Sequence, residues 1–219
     1  MSEMSRTDAP RTKKFLLAVP EARVLDWIAR RLPRALKPDH LTALGVLASI
    51  GIAAAYVLSN GDEVWLWAAS ALLVVHWLGD SLDGTLARVR KAERPRYGYY
   101  LDHLVDAFAT AAIGIGLGLS PHMLLAVGLA IVIAYLILSI NTYLETQAFG
   151  TFTLGYGRLG PTEARLLLVG VNTLLALGLI GDGVLDVLGI ALAAAMLLAL
   201  LARAGRNLKR LAELEPASR

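Results

Sequence analysis

"LGDSLDGTLARVRKAERPRYGYYLDHLVD" (Leu78–Asp106) sets four aspartates, Asp80, Asp83, Asp102 and Asp106, between two long apolar segments. An ionised acid at a helix centre costs about 2.5–3.5 kcal/mol to insert into a bilayer, and less near its edge. Four acids gathered at such a boundary, interleaved with glycines and an arginine, therefore call for a specific reason. Residues three or four apart share a helix face. Asp80, Asp83, Gly84 and Ala87 form one stripe at the end of the first apolar segment, with Arg88 close by. Gly98, Asp102 and Asp106 form another at the start of the second. The loop between them, Val89–Tyr97, is short enough to make the two helices antiparallel neighbours whose stripes face each other.

The flanks define the solvent. Of 219 residues, 56% are hydrophobic and only 18% charged, which points to a bilayer rather than a soluble core. Six stretches read as spanning helices: Leu41–Leu58, Val64–Gly79, Ala107–Leu119, Met123–Ile140, Leu166–Ile180 and Val184–Ala202. The second and third reach full length once their polar, aspartate-bearing ends are included. The expected fold is thus an all-α integral membrane protein with six transmembrane helices.

The loops set its orientation. Arginine and lysine crowd the segment before the first span (Arg23, Arg30, Arg31, Arg34, Lys37) and the loop between the second and third (Arg88, Arg90, Lys91, Arg94, Arg96). They recur after the fourth span (Arg158, Arg165) and at the C-terminus (Arg203, Arg206, Lys209, Arg210), whereas "NGDEV", "SPHM" and "GDGVLD" are acidic or neutral. By the positive-inside rule, both termini and the aspartates lie on the cytoplasmic side. Ahead of the spans, "EARVLDWIARRLP" places Val24, Leu25, Ile28 and Leu32 on one face, with Pro33 ending the turn. This reads as an amphipathic helix at the cytoplasmic interface, or else as a short soluble helix.

Three regions follow: residues 1–37 as basic tail and juxtamembrane helix, 38–204 as the transmembrane catalytic domain, and 205–219 as a cytoplasmic tail. The apolar patch Phe15–Val19 is too brief for a cleavable signal. The net charge of +3 comes without an aromatic-interleaved basic face, so no nucleic-acid partner is expected. With no cysteine there is no disulfide framework and no zinc–thiolate site.

Four facing carboxylates repel one another and need cations. Hard oxygen ligands in this number suit Mg²⁺, Mn²⁺ or Ca²⁺, and could hold two ions, an arrangement used for phosphoryl chemistry. Gly84, Ala87 and Gly98 would let a bulky ligand approach the backbone, and Arg88 could pair with an anionic oxygen. The alternative is a set of interfacial acids neutralised by the neighbouring arginines and lysines.

The residues spell D-x-x-D-G-x-x-A-R, nine residues, then G-x-x-x-D-x-x-x-D. That string resembles the signature of the CDP-alcohol phosphotransferase (CDP-alcohol phosphatidyltransferase) family at every defined position. "KPDHLTALG" (Lys37–Gly45) is similar to the family's Pro-x-x-Leu-Thr entry into its first span. The resemblance implies that Asp80, Asp83 and Asp102 are metal ligands for two Mg²⁺ (or Mn²⁺) ions. It implies that Asp106 is the general base and also touches metal. Asp80, Asp83, Gly84, Ala87, Arg88 and Gly98 would shape the CDP site. The implied reaction moves a phosphoalcohol group from a CDP-linked donor to an acceptor hydroxyl and releases CMP, one substrate being lipid. The family also implies a homodimer.

Other residues leave choices open. His76 reads as a hydrogen-bonding bundle residue rather than a ligand, and His103, about 100° round the helix from Asp102, points elsewhere. Asn141 and Glu145 either cap a helix or line the cavity. Asn172 reads as interhelical glue, and Gly114 with Gly118 as a close-packing face. Arg158 and Arg165 either contact a substrate phosphate or serve as positive-inside anchors. "GPTE" (Gly160–Glu163) is similar to choline and ethanolamine phosphotransferases, whereas a glutamate followed by arginine resembles inositol-phosphate-using members. CDP-diacylglycerol with a small polar alcohol is favoured over CDP-choline or CDP-ethanolamine with diacylglycerol. An aspartate-rich intramembrane prenyltransferase is the enzymatic alternative. A cation transporter fits less well, because its acids belong at mid-membrane.

Overall fold

The computed structural model describes residues 16–149 and 160–215, and these are helical with no strand. Seven helices run in order: α1 (Ala18–Ala29), α2 (Pro38–Leu58), α3 (Val64–Val89), α4 (Pro95–Gly118), α5 (Leu125–Phe149), α6 (Pro161–Ala176) and α7 (Val184–Leu214). Five of them, α2, α3, α4, α5 and α7, are long and apolar enough to cross a membrane. As the sequence indicates, α3 and α4 gain their length from their aspartate-bearing ends.

Helix α6 departs from the expected Leu166–Ile180. It starts at Pro161, and at 16 residues it is about 24 Å long, short of a ~30 Å hydrocarbon core. Its stop is set by Gly178, whose φ of 64° no helix continues. The N–H groups of Gly178 and Leu179 fold back onto the carbonyls of Leu175 and Leu174 as a Schellman cap. The early start brings Glu163 and Arg165 inside the helix.

Helix α1 also ends early, at Ala29, because the Pro33 ring crowds the carbonyl four residues before it. Leu25 and Ala29 are buried against Leu41, Leu82 and Leu86, with Ile28 and Leu32 at the edge of that cluster. Val24, the fourth apolar residue expected on that helix face, is exposed and takes no part in this cluster.

The helices pack in the spatial order α6, α3, α2, α4, α5, α7, with α1 laid on α3. Helices α3 and α4, expected to be direct neighbours, hardly touch among the described residues, because both pack on α2. The reason lies in the close crossing of α2 and α3. A Cβ on Gly79 would stand 2.6 Å from the Gly45 nitrogen and 2.7 Å from the Leu41 carbonyl oxygen. On the other side, Gly114 and Gly118 form a close-packing face as expected, with Gly128 of α5 as the partner. A Cβ on Gly128 would be 2.7 Å from the Gly114 oxygen.

The end of the bundle opposite the aspartates is closed by an apolar cluster. Ile52, Tyr56, Leu66, Leu117, Leu175 and Leu185 belong to it, and so all six longer helices except α5 contribute from these residues alone; α5 adds Val127. Within it the Tyr56 hydroxyl donates to Asn172 Oδ1 (2.9 Å), and Asn172 Nδ2 donates to Ser70 Oγ (3.2 Å). Asn172 therefore ties α2, α3 and α6 together, the interhelical role its position suggested.

At the aspartate end, α3 stops in a second Schellman cap. Ala92 N–H bonds the Ala87 carbonyl and Lys91 N–H bonds that of Arg88. Lys91 takes the left-handed position, φ 52°, that glycine usually fills. A side chain there costs roughly 1–2 kcal/mol, partly offset in glycine by chain entropy. Lys91→Gly is therefore expected to raise the thermal midpoint in detergent slightly, by a net stabilisation of up to about 1 kcal/mol. A lowered midpoint would show that the lysine side chain contributes more than its backbone loses.

Candidate active site

Asp80 and Asp83 sit in the last three turns of α3, and Asp102 and Asp106 in the third and fourth turns of α4. The four form one electrostatic group. Asp80, Asp102 and Asp83 all act on Asp106, and Asp80 and Asp102 act on Asp83. All four are half-buried. Since α3 and α4 are not packed together, the acids face one another across a gap floored by α2.

The walls of this gap hold the acids in place. Thr42, from the Pro-x-x-Leu-Thr stretch, donates its hydroxyl to Asp83 Oδ2 at 2.6 Å, while Gly84 N–H donates to Oδ1 at 2.5 Å. Both Asp83 oxygens thus have fixed orientations. Arg165 of α6 forms an ion pair with Asp80 Oδ2 at 2.5 Å, and both side chains are less than a fifth exposed. This guanidinium is no loose interfacial anchor: it is a cation inserted among the aspartates. Its charge also reaches Asp106.

His103 corrects the expectation that it points away. Its Nδ1 lies 3.8 Å from Asp102 Oδ2, and ligand atoms of Asp102, His103 and Asp106 all fall within 4.8 Å of one another. Tyr99, one turn earlier, meets the imidazole edge-on at 4.3 Å, and Tyr143 of α5 stacks on it at 4.9 Å. These two rings turn the imidazole back toward the acids despite the 100° offset of its Cβ. His76, one turn before Asp80, is buried in the bundle. Glu145 is held by Arg203 of α7 at 2.6 Å, so it joins α5 to α7 rather than capping a helix.

The small residues leave open space. Gly84 and Gly98 are exposed, Ala87 is half-buried, and nothing stands within 4 Å of a Cβ built on Gly98. Arg88 is exposed and donates to Thr85 Oγ1 at 2.9 Å. Arg158 and Tyr156 lie outside the described residues. Thr42, Gly79 and the ion pair of Arg165 with Asp80 were not assigned from sequence. The threonine of the entry motif was the one available signal.

The Asp102, His103 and Asp106 ligand atoms on α4, with the Asp80 and Asp83 carboxylates of α3 acting on the same group, fit divalent cations such as Mg²⁺ or Mn²⁺. Their geometry does not suit a soft metal, for which thiolates would be needed.

Residues 35–203 match the family model described as CDP-alcohol phosphatidyltransferase. The chain is 34% identical over 99 residues to the phosphatidylinositol phosphate synthase of Cutibacterium acnes. That alignment covers 45% of each chain, so it spans less than half of the relative's length. The fold is similar to the crystal structure of Mycobacterium tuberculosis phosphatidylinositol phosphate synthase with CDP-DAG bound. The TM-score is 0.67 at 26% identity, covering 84% of this chain and 94% of the other.

Proposed function

The chain belongs to the CDP-alcohol phosphatidyltransferase family, and from that membership we propose that it transfers a phosphatidyl group from CDP-diacylglycerol to a phosphorylated polyol, releasing CMP. The observation that carries this reading is Arg165 held against Asp80 inside the aspartate group. A guanidinium so placed suits a second anionic group on the acceptor, beside a diphosphate donor. The two similar proteins support it. One was solved with CDP-DAG, and the product in their name is phosphatidylinositol phosphate. Subtracting a phosphatidyl group from that product leaves inositol phosphate as acceptor, and the same class is proposed here.

Asp80, Asp83, Asp102 and Asp106 would hold the divalent ions, Mg²⁺ in the first instance, whose charge would neutralise the donor diphosphate. Gly84, Ala87, Arg88 and Gly98 would receive the CDP moiety along the open faces of α3 and α4. Asp106 accepts the proton of the acceptor hydroxyl. The acceptor oxygen then bonds to the phosphorus distal to cytidine. The bond from that phosphorus to the bridging oxygen breaks, and CMP leaves with the electron pair. Arg165, and Arg158 from the loop before it, would orient the acceptor phosphate.

The arginine-rich loops support a cytoplasmic site, cytoplasmic termini and six spans, with α6 as the shortest. Exposed Trp27, beneath the Arg31 guanidinium at 4.0 Å, suits α1 for the membrane interface. A homodimer is the assembly the family resemblance implies. Family membership sets aside the prenyltransferase and transporter readings. The CDP-choline reading rested on "GPTE", but Thr162 and Glu163 of that tetrapeptide are engaged by α1 and by the cap of α6.

The test is CMP release by purified protein in lipid. CDP-diacylglycerol would be offered with inositol phosphate, inositol and glycerol phosphate, and CDP-choline and CDP-ethanolamine with diacylglycerol. CMP is expected from CDP-diacylglycerol with a phosphorylated polyol, abolished by EDTA and restored by Mg²⁺ or Mn²⁺. Release from a CDP-choline or CDP-ethanolamine pair alone would reverse the donor assignment. Release that persists after chelation would remove the metal from the proposal.

A further inference from the structure

The "GPTE" tetrapeptide and the N-terminal helix are joined by two carboxylates that the reaction itself does not use. Glu21 of α1 places Oε1 where three side chains donate to it: Trp77 Nε1 at 2.9 Å, Ser81 Oγ at 3.3 Å and Thr162 Oγ1 at 2.8 Å. Trp77 and Ser81 are one turn apart on α3 and bracket Asp80. Thr162 lies three residues before Arg165 on α6. One oxygen thus connects the Asp80 turn to the start of the helix that carries its partner.

The link is reciprocal. Glu163 Oε1 accepts the N–H of Leu17, the N-cap residue of α1, at 2.9 Å. Its Oε2 accepts the Gly160 N–H at 2.9 Å, which is the glutamate half of a capping box at the start of α6. Glu163 thus completes the starts of both helices, while Glu21 ties α1 to α3 and α6 through side chains.

We infer that Glu21 is a positioning residue: gripped by Trp77, Ser81 and Thr162, its carboxylate fixes the start of α6 against the Asp80 turn and so sets where Arg165 stands. Anchoring α1 does not require it, because Leu25 and Ala29 already bury the apolar face of α1. Helix α6, by contrast, packs on α3, and its other buried polar tie, Asn172, lies two turns further along. Near Arg165 the polar ties from α6 to α3 are the ion pair with Asp80 and the Glu21 clasp, while Glu163 ties α6 to the start of α1. Asp80 is also a proposed metal ligand, so a tether independent of it keeps Arg165 in register while Asp80 serves the metal. The inference rests on the proposed role of Arg165 toward the acceptor phosphate.

The experiment uses the full chain in lipid nanodiscs, with Glu21→Ala, Thr162→Val and Thr162→Ser beside wild type. The KM for the phosphorylated polyol and the KM for CDP-diacylglycerol are measured separately. Misplacing one charge-assisted contact is expected to raise the acceptor KM about tenfold or more in Glu21→Ala. A smaller rise is expected in Thr162→Val, with near-complete recovery in Thr162→Ser and an unchanged donor KM. Equal changes in both KM values, or no change in either, would overturn the inference.

A second readout does not depend on activity. The chain has no cysteine, so single cysteines at exposed Ala92 and Ala164 can be spin-labelled and their distance distribution recorded. The distribution is expected to broaden in Glu21→Ala and Thr162→Val; an unaltered one overturns the clasp. Should wild type release no CMP with any phosphorylated polyol, the substrate reading falls, while the spin-label distance still decides on the clasp.

Discussion

Asp106→Asn is expected to lower kcat for CMP release by about 10²–10⁴-fold while the protein still binds the CDP-lipid. Asparagine keeps the shape of the side chain but cannot take a proton from the acceptor hydroxyl. Asp106 is the aspartate on which the charges of Asp80, Asp83, Asp102 and Arg165 all act. In the proposed reaction it stands between the metal-held donor and the Arg165-held acceptor. Because it is also a proposed metal ligand, the assay must separate the two roles. Activity would be titrated against Mg²⁺. A rate that stays low at saturating metal assigns the proton transfer to Asp106. A rate restored by excess metal would reduce Asp106 to a ligand and move the base elsewhere, with His103 the next group to examine.

Gly79→Ala is expected to lower kcat/KM by about 10²-fold, although residue 79 carries no functional group, because misplacement of about 1 Å is enough for such a loss. The added methyl would lie 2.6 Å from the Gly45 nitrogen and 2.9 Å from its Cα. Both are backbone atoms that no rotamer change can move, so α2 and α3 have to separate. Asp80 is the next residue, and Thr42, which orients Asp83, lies on the opposing helix one turn before Gly45. The separation pulls both aspartates out of register with Asp102 and Asp106. Overpacking of this kind also destabilises by about 1–3 kcal/mol, readable as a lower thermal midpoint. Gly45→Ala is the control, since its methyl would meet its nearest neighbour, the Asp80 nitrogen, at an ordinary 3.5 Å. It should retain activity within about threefold, by the same contact argument. Equal losses in the two variants would show that the crossing tolerates no methyl on either side. Equal tolerance would refute the role of the crossing.

Much of the site was legible in the chain because its information is local. The stripes Asp80/Asp83 and Asp102/Asp106 follow from helical periodicity alone, and each stripe lies on the helix expected for it. The helix-period reading failed where a neighbour overrides direction. His103 is offset from Asp102 in sequence, yet Tyr99 and Tyr143 stack it back against the acids. The boundary of α6 was misplaced because Gly178 looked like one more small residue in an apolar run, and only its left-handed backbone shows it as a cap.

The sequence by itself determined the helical class, the apolar spans, the acid signature and the family, because hydropathy and helix periodicity are properties of a residue and its near neighbours. Tertiary structure alone decided what stands opposite each acid: Thr42 on Asp83, Arg165 on Asp80, and three donors on Glu21. It also placed α2, rather than direct contact, between α3 and α4. These pairings join residues 41 to 141 positions apart. They depend on how closely two helix backbones approach at a glycine, a distance that no single helix encodes.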